Sequence, residues 1–422
     1  MNRNFGYLRK AALAVAAMTA SALVLSGCSG QAAQEGSGNT IKVFLSYAGE
    51  NAINSHPQTL LGAEAAVKAI NANGGVKGRQ IELVACDNRF EAQQALVCAR
   101  QGSAKDIVAW VGQDDIQSDQ SLPLLAAAGI PSVGLFSYSN PADFTSPASF
   151  PITAGATASN LGIPQVLEQL GVKRVMSQAC EYPACGILAE QISTFGPEFG
   201  LDVAPESLEV PNAGLPDYSP AVQKTKGIGP EAVVQILSGG TSIALIKAAR
   251  DIGFEPLYAG NPQAITEKEA AQNGELLEGY LTPAAFPSPR AHADWPIMQK
   301  YIQDRGAHAG VTGEEWIADA VLDTSWNNDI NAWLSVYALA KAVELIPGDD
   351  VTAKTLTDTL NASDTSIDLF GFQTWTPGVA GPAGYERMPQ MVSYFNEIKG
   401  GKIAAMDLAP FDLVPMLNKN SK

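Results

Sequence analysis

The sequence predicts an α/β protein made of two similar halves, each a parallel sheet flanked by helices. Two patterns carry that expectation. Short apolar runs alternate with longer helical stretches, the signature of strand–helix–strand construction, and this alternation restarts near residue 174. At 422 residues, 46% hydrophobic and 17% charged, the chain exceeds one ordinary domain and can fill large cores.

In the first half, Ile41 to Leu45 predicts a strand, and the Ala-rich stretch from about Thr59 to Asn71 predicts a helix stopped by Asn73-Gly74-Gly75. Ile81 to Ala85, Ile107 to Val111 and Ile130 to Phe136 predict three more strands. In the second half, Arg174 to Ser177, Ala232 to Leu237 and Leu257 to Ala259 predict strands. Helices are expected from about Gly186 and over Ser242 to Ile252. From about Asp329 the pattern is strongly helical, and Val351 to Leu360 adds another helix. The Gly/Pro-rich tail from Gly371 to Met391 suits short strands or crossovers.

The first 27 residues read as an address. Met1 to Lys10 is basic and Ala11 to Leu25 apolar, the layout of an export signal and shorter than the ~20 residues of a spanning helix. Leu25-Ser26-Gly27-Cys28 resembles the lipobox of bacterial lipoproteins, which implies cleavage before Cys28 and lipid on its thiol. Residues 28–40, rich in Gly, Ser and Gln, read as a flexible tether. Four cysteines remain, which allows three pairings. Cys86 with Cys98 and Cys180 with Cys185 are the local pairs, and an exported protein is oxidised. A zinc site is disfavoured because neither pair has C-x2-C spacing, so no metal or cofactor is expected.

Charge excludes other classes. Acids outnumber Lys and Arg by 43 to 27; removing Arg3, Arg9 and Lys10 of the leader from the net of −16 leaves −19. Such a surface repels phosphate backbones and anionic lipid, so no nucleic-acid partner is expected. Catalytic patterns are missing as well. His56, His292 and His308 form no paired-histidine motif, and there is no G-x-S-x-G elbow or phosphate-binding P-loop. Gly227-Ile228-Gly229-Pro230-Glu231-Ala232 fits a dinucleotide fingerprint only nominally, since it precedes a strand. Asp114-Asp115 reads as a solvated loop or helix start before it reads as a metal or acid–base pair.

A binding architecture is what remains. In open α/β sheets, ligands sit beyond the carboxyl ends of strands. Those ends carry Ser46-Tyr47, Gln113-Asp114, Ser137-Tyr138, Glu181-Tyr182, Ser238-Gly239-Gly240 and Asn261-Pro262-Gln263. Tyr offers an apolar face with a hydroxyl; Ser and Gly leave N–H groups accessible. Tyr47, Gln113, Asp114, Ser118, Ser137 and Tyr138 are therefore candidate ligand contacts from one half. Tyr182, Gly239 and Gln263 are candidates from the other, with Phe286 beside them.

Ile70-Asn71-Ala72-Asn73-Gly74-Gly75-Val76-Lys77-Gly78-Arg79 resembles the I-N-A-x-G-G-V-x-G-R segment of type I periplasmic solute-binding proteins, in the Leu/Ile/Val-binding branch serving ABC importers. Ala127-Ala128-Gly129-Ile130-Pro131, Asp217-Tyr218-Ser219, Leu276-Leu277-Glu278-Gly279-Tyr280 and Phe372-Gln373-Thr374-Trp375 extend the likeness over nearly all of 41–415. The resemblance implies two Rossmann-like lobes, 41–150 with 285–372 and 151–284 with 373–416, joined by three crossovers and closing on a small solute. It also implies an ABC permease as partner, and it supports the Cys86–Cys98 pair. A monomeric, non-enzymatic lipoprotein at the outer face of the cell membrane follows. Two departures bear on the solute. Gly112 to Ser118 has two acids and one hydroxyl where amino-acid binders present Ser/Thr-rich turns for a carboxylate, and Ser46-Tyr47-Ala48-Gly49 replaces P-L-T-G. An aromatic or otherwise apolar solute stacked on Tyr47, Tyr138, Tyr182 or Phe286 fits at least as well as an amino acid. The alternatives are a sensory module on the same fold and, far behind, a hydrolase.

Overall fold

In the computed structural model, the described residues are 40–49, 55–211, 214–260, 262, 265–322 and 326–420. The leader, Cys28 and Gln263 lie outside them, as does the tether except for Thr40, which already opens the first strand. Among the described residues, no helix is long and apolar enough to cross a membrane.

Two parallel sheets organise the chain. Strands β1 (Thr40–Tyr47), β2 (Gln80–Asp87), β3 (Ala109–Val111), β4 (Ser132–Val133) and β5 (Ser149–Phe150) form the first, ordered β2-β1-β3-β4-β5. Strands β6 (Arg174–Ala179), β7 (Asp202–Val203), β8 (Leu208–Glu209), β9 (Ala232–Ile236) and β10 (Leu257–Gly260) form the second, ordered β10-β9-β6-β7, with β8 also on β6. Val43, Phe44 and Leu45 are all buried, as are Val233 and Val234, which is why these strands read as continuous apolar runs. The register runs from Thr40 opposite Gln80 to Tyr47 opposite Asp87, so β1 and β2 end level.

Helices α1 (Gln58–Ala72), α2 (Ala92–Gln101), α3 (Ser118–Ala128) and α4 (Pro141–Thr145) follow the strands of the first sheet. Helices α5 (Gly155–Gln169), α6 (Pro183–Phe195), α7 (Ser219–Ile228), α8 (Gly239–Asp251) and α9 (Glu267–Asn273) belong to the second passage. The chain then returns through α10 (Pro296–Ala309) and α11 (Gly313–Asp319) to α12 (Trp326–Leu345), which packs on α1, β3 and β4, and to α13 (Ala353–Asn361). Helix α12 is buried almost all round, as a core helix must be if it is apolar on every face. Small residues bring α1 against it: a Cβ on Gly62 would lie 2.2 Å from the Asp329 carbonyl oxygen.

The asparagine–glycine segment after α1 has a mechanical role. Asn71 donates to the Ile81 carbonyl (2.9 Å) and accepts from the Ile81 N–H (2.8 Å), pinning the helix end to β2. Gly75 has φ +76°, and a Cβ there would meet the Arg79 carbonyl oxygen at 2.0 Å, so the turn admits only glycine.

Three connections run between the sheets. Residues 151–154 leave β5 for α5. Ala284 of the second pairs with Tyr394 of the third, and Trp375 Nε1 donates to the Pro151 carbonyl (2.9 Å), so the three lie side by side. Glu267, buried at the start of α9, gathers further segments: Arg290 forms a two-pronged ion pair with it, and the Leu322 and Ile403 N–H groups donate to it at 3.1 and 2.9 Å. Disulfides Cys86–Cys98 and Cys180–Cys185 tie β2 to α2 and the end of β6 to α6.

The fourth strand departs from expectation. Ile130 to Phe136 reads as one strand, yet β4 keeps only Ser132–Val133. Gly134 turns the chain with φ +67°, because Ser335 of α12 fills the space where a Cβ would stand. Pairing resumes beyond the turn, where Asp114 bridges Phe136.

Candidate functional site

The carboxyl ends of β1 and β3 and the segment after β4 meet at one end of the first sheet. Gly112, φ +59°, lets the chain leave β3 flat against Ala332 of α12. Asp114 then donates its N–H to the Ser46 carbonyl (2.9 Å), and Phe136 donates to the Gln113 carbonyl (2.8 Å). These bonds bring residues 46, 114 and 138 together.

Asp114 is the centre of the cluster. Its carboxylate accepts from His56 Nδ1 (2.9 Å), Thr59 Oγ1 (3.0 Å) and Tyr138 OH (2.6 Å). Tyr138 OH also accepts from Asn328 Nδ2 of α12 (3.0 Å), and Asn88 Nδ2 binds the Asp114 carbonyl (2.7 Å) and Ser46 Oγ (2.9 Å). Phe90 meets the His56 and Tyr138 rings edge-on at 5.1 and 5.6 Å. Burial, then the Asp114 charge, push the Tyr138 hydroxyl well above its ordinary value, so it stays a donor.

Two further acids are buried beside it. Asp115 accepts from Ser121 Oγ (2.7 Å), Gln113 Nε2 (3.3 Å) and the Gln117 N–H (2.8 Å). Burial raises its pKa, and the Asp114 charge adds to that. Asp143 accepts from Ser118 Oγ (2.5 Å), Ser137 Oγ (2.9 Å) and the Tyr138 N–H (3.0 Å), and burial pushes it up to about 7. The expectation of a solvated Asp114-Asp115 loop is thus corrected: both are interior, at 0% and 2% exposure, because hydroxyls and amides of four segments satisfy them.

The sequence-derived candidates separate accordingly. Asp114 and Tyr138 share one network, with half-buried Tyr47 at the end of β1 near it. Gln113 turns its amide inward to Ser132, Ser121 and Asp115, while Ser118 and Ser137 hold Asp143. In the second lobe, Tyr182 is 39% exposed at the start of α6, and Gly239 is buried at the first position of α8. Phe286 is fully buried and stacked on Phe372 (5.3 Å), so its face is already covered. His56, Thr59, Phe90, Asn88, Asn328 and Asp143 carried no motif that marked them. Neither did Gln191 of α6, whose Nε2 reaches Ser139 Oγ (3.3 Å) and joins the two lobes beside Tyr138. Among the described residues the side-chain atoms within hydrogen-bond reach of the His56 ring are the Asp114 carboxylate and, at 3.3 Å, the Tyr138 hydroxyl. No group of residues suited to holding a metal is found among the described residues.

The arrangement has relatives. A protein-family model described as periplasmic binding protein matches residues 40–388. An ABC transporter substrate-binding protein from Aeropyrum pernix superposes with TM-score 0.73 at 17% identity, over 90% of this chain and 97% of that one. A branched-chain amino acid ABC transporter protein from Thermus thermophilus with bound valine gives 0.69 at 17%, over 88% and 96%. A solute-binding protein from R. palustris in complex with benzoate gives 0.67 at 16%, over 88% and 97%. At these identities the likeness is one of fold. None of the curated proteins matches the chain. With most of its length under one family model and two parallel-sheet lobes, the chain belongs to the type I periplasmic binding proteins.

Proposed function

We propose that the protein is an extracytoplasmic solute-binding lipoprotein that captures a small organic solute between its lobes and delivers it to an ABC importer. The observation that carries this reading is the gathering of Asp114, Tyr138, His56 and Asn328 at the strand ends of lobe 1, directly beside the Gln191–Ser139 contact between lobes. Closure at that contact would bury a solute and create the surface a permease reads. The lobes would comprise 41–150 with 285–372 and 151–284 with 373–416.

Valine and benzoate, bound in two structural relatives, support a solute that is amino-acid-like or aromatic and apolar. Tyr47, Tyr138 and Tyr182 would give apolar faces, and Gly239 and Gln263 would close from lobe 2. Gln113, Ser118 and Ser137 would stiffen the site from behind. Cys28 would carry the lipid, and the body would act as a monomer beside its permease. Cys28→Ser should move the protein from the membrane fraction to the soluble one; unchanged partition would sink the anchor.

The test of the binding reading is a thermal-shift screen of the body from Asn39 against amino acids, aromatic acids, amides, sugars and steroid-like acids. A solute at 100 times its dissociation constant adds about 2.7 kcal/mol, several degrees at this size. A shift confined to one chemical class supports the clamp. Flat curves together with no solute released from denatured protein would reject it.

A further inference from the structure

We propose, resting on the solute-binding reading above, that the end of the solute entering lobe 1 is a hydrogen-bond donor, an amine or amide N–H, accepted by His56 Nε2.

His56 is fully buried, and its backbone N–H is fixed to the Ala48 carbonyl (2.6 Å). Asp114 Oδ2 lies 2.9 Å from Nδ1. A carboxylate oxygen can only accept, so the shared proton sits on Nδ1. Nε2, on the other edge of the ring, has no hydrogen-bond partner among the described residues. A proton on Nε2 would be a buried donor without an acceptor among the described residues. A bare lone pair in the same place costs less.

The surroundings point the same way. Asp114, Asp115 and Asp143 are interior, and among the described residues no Lys or Arg side chain is a hydrogen-bond or ion-pair partner of theirs. Burial raises Asp115 and Asp143, and neighbouring acids add to both shifts, Asp114 to the first and Asp119 to the second. A solute carboxylate placed there would add a further negative charge. An ammonium or amide N–H would instead meet an acceptor, on a ring that Phe90 holds edge-on together with Tyr138. Here Thr59 and Tyr138 take up Asp114 and leave an imidazole lone pair on offer.

The first test needs no ligand. The double variant His292→Gln/His308→Gln leaves His56 as the one histidine of the chain's three. Both replaced side chains are partly exposed, at 22% and 23%, so folding should survive. Nitrogen NMR of the remaining ring should show a proton on Nδ1 and none on Nε2; a protonated Nε2 overturns the proposal. The second test compares melting shifts of the exported protein with matched compounds: benzylamine and benzamide against benzoate, isobutylamine and isobutyramide against isobutyrate. The amines and amides should shift melting more than their acids. An acid that shifts it more overturns the donor assignment and leaves the clamp standing, since the clamp falls only with the broader screen. If none of the six compounds shifts melting, the ring protonation state decides alone.

Discussion

Three donors from two segments converge on the Asp114 carboxylate: the His56 ring and Thr59 hydroxyl at the start of α1, and the Tyr138 hydroxyl beyond β4. Replacing the acceptor leaves buried donors facing an amide. Asp114→Asn should therefore cost about 1.5–3 kcal/mol in urea unfolding, the range for a hydrogen bond to a charged group. An unchanged midpoint would show that the donors rearrange. Tyr138 is itself interior, at 7% exposure, so truncating it would lower stability together with affinity. Exposed Tyr182 is the cleaner probe: Tyr182→Ala should weaken solute binding several-fold with the melting temperature of the solute-free protein preserved, and full affinity would remove it from the site. The sequence shows Asp114 and Tyr138 because both follow apolar runs that end at the same sheet edge. It hides His56, Thr59 and Asn328, which stand 58, 55 and 190 residues from their partners and belong to no motif. Only the packing of α12 against α1 and the sheet brings them in.

Among the elements, the segment from β4 to α4 bends where its sequence suggests a straight strand. One apolar run suggests one strand, but α12 crosses so closely that Gly134 must bend the chain. Residues after the bend point their polar groups at Asp143, which fastens α3 to this segment through Ser118 and Ser137. Burial makes this carboxyl hold its proton up to about pH 7, against about 4 in the unfolded chain. Over that interval the folded state binds more protons, so stability falls as pH rises, by up to about 1.4 kcal/mol per unit, and levels off above 7. Asp143→Asn should flatten this slope in melting curves taken from pH 4 to 8. Asp115, shifted in the same direction, keeps its own part. A slope that survives Asp143→Asn undiminished would move the titration elsewhere.

For the whole molecule, alternation of strand and helix announces the two-sheet plan well, since the central parallel strands are covered on both faces and read as apolar runs. What alternation cannot announce is how the returning segments are fastened. Glu267 does much of that, holding Arg290 and the Leu322 and Ile403 N–H groups at one point. Glu267→Gln takes the carboxylate from the Arg290 guanidinium, which keeps only the Ile317 and Ala320 carbonyls among the described residues, and should cost about 3 kcal/mol; a loss under about 0.5 kcal/mol in denaturant unfolding would assign the fastening to the apolar contacts around it. The bare face of Gly62 has a longer reach. It is the notch into which the first turn of α12 settles, and that turn presents Asn328 to Tyr138. A single methyl at position 62 would lift the turn and slacken the tyrosine without touching the cleft. Solute grip is therefore set in part from the rear of the lobe, so Gly62→Ala should lower affinity with every residue of the pocket intact.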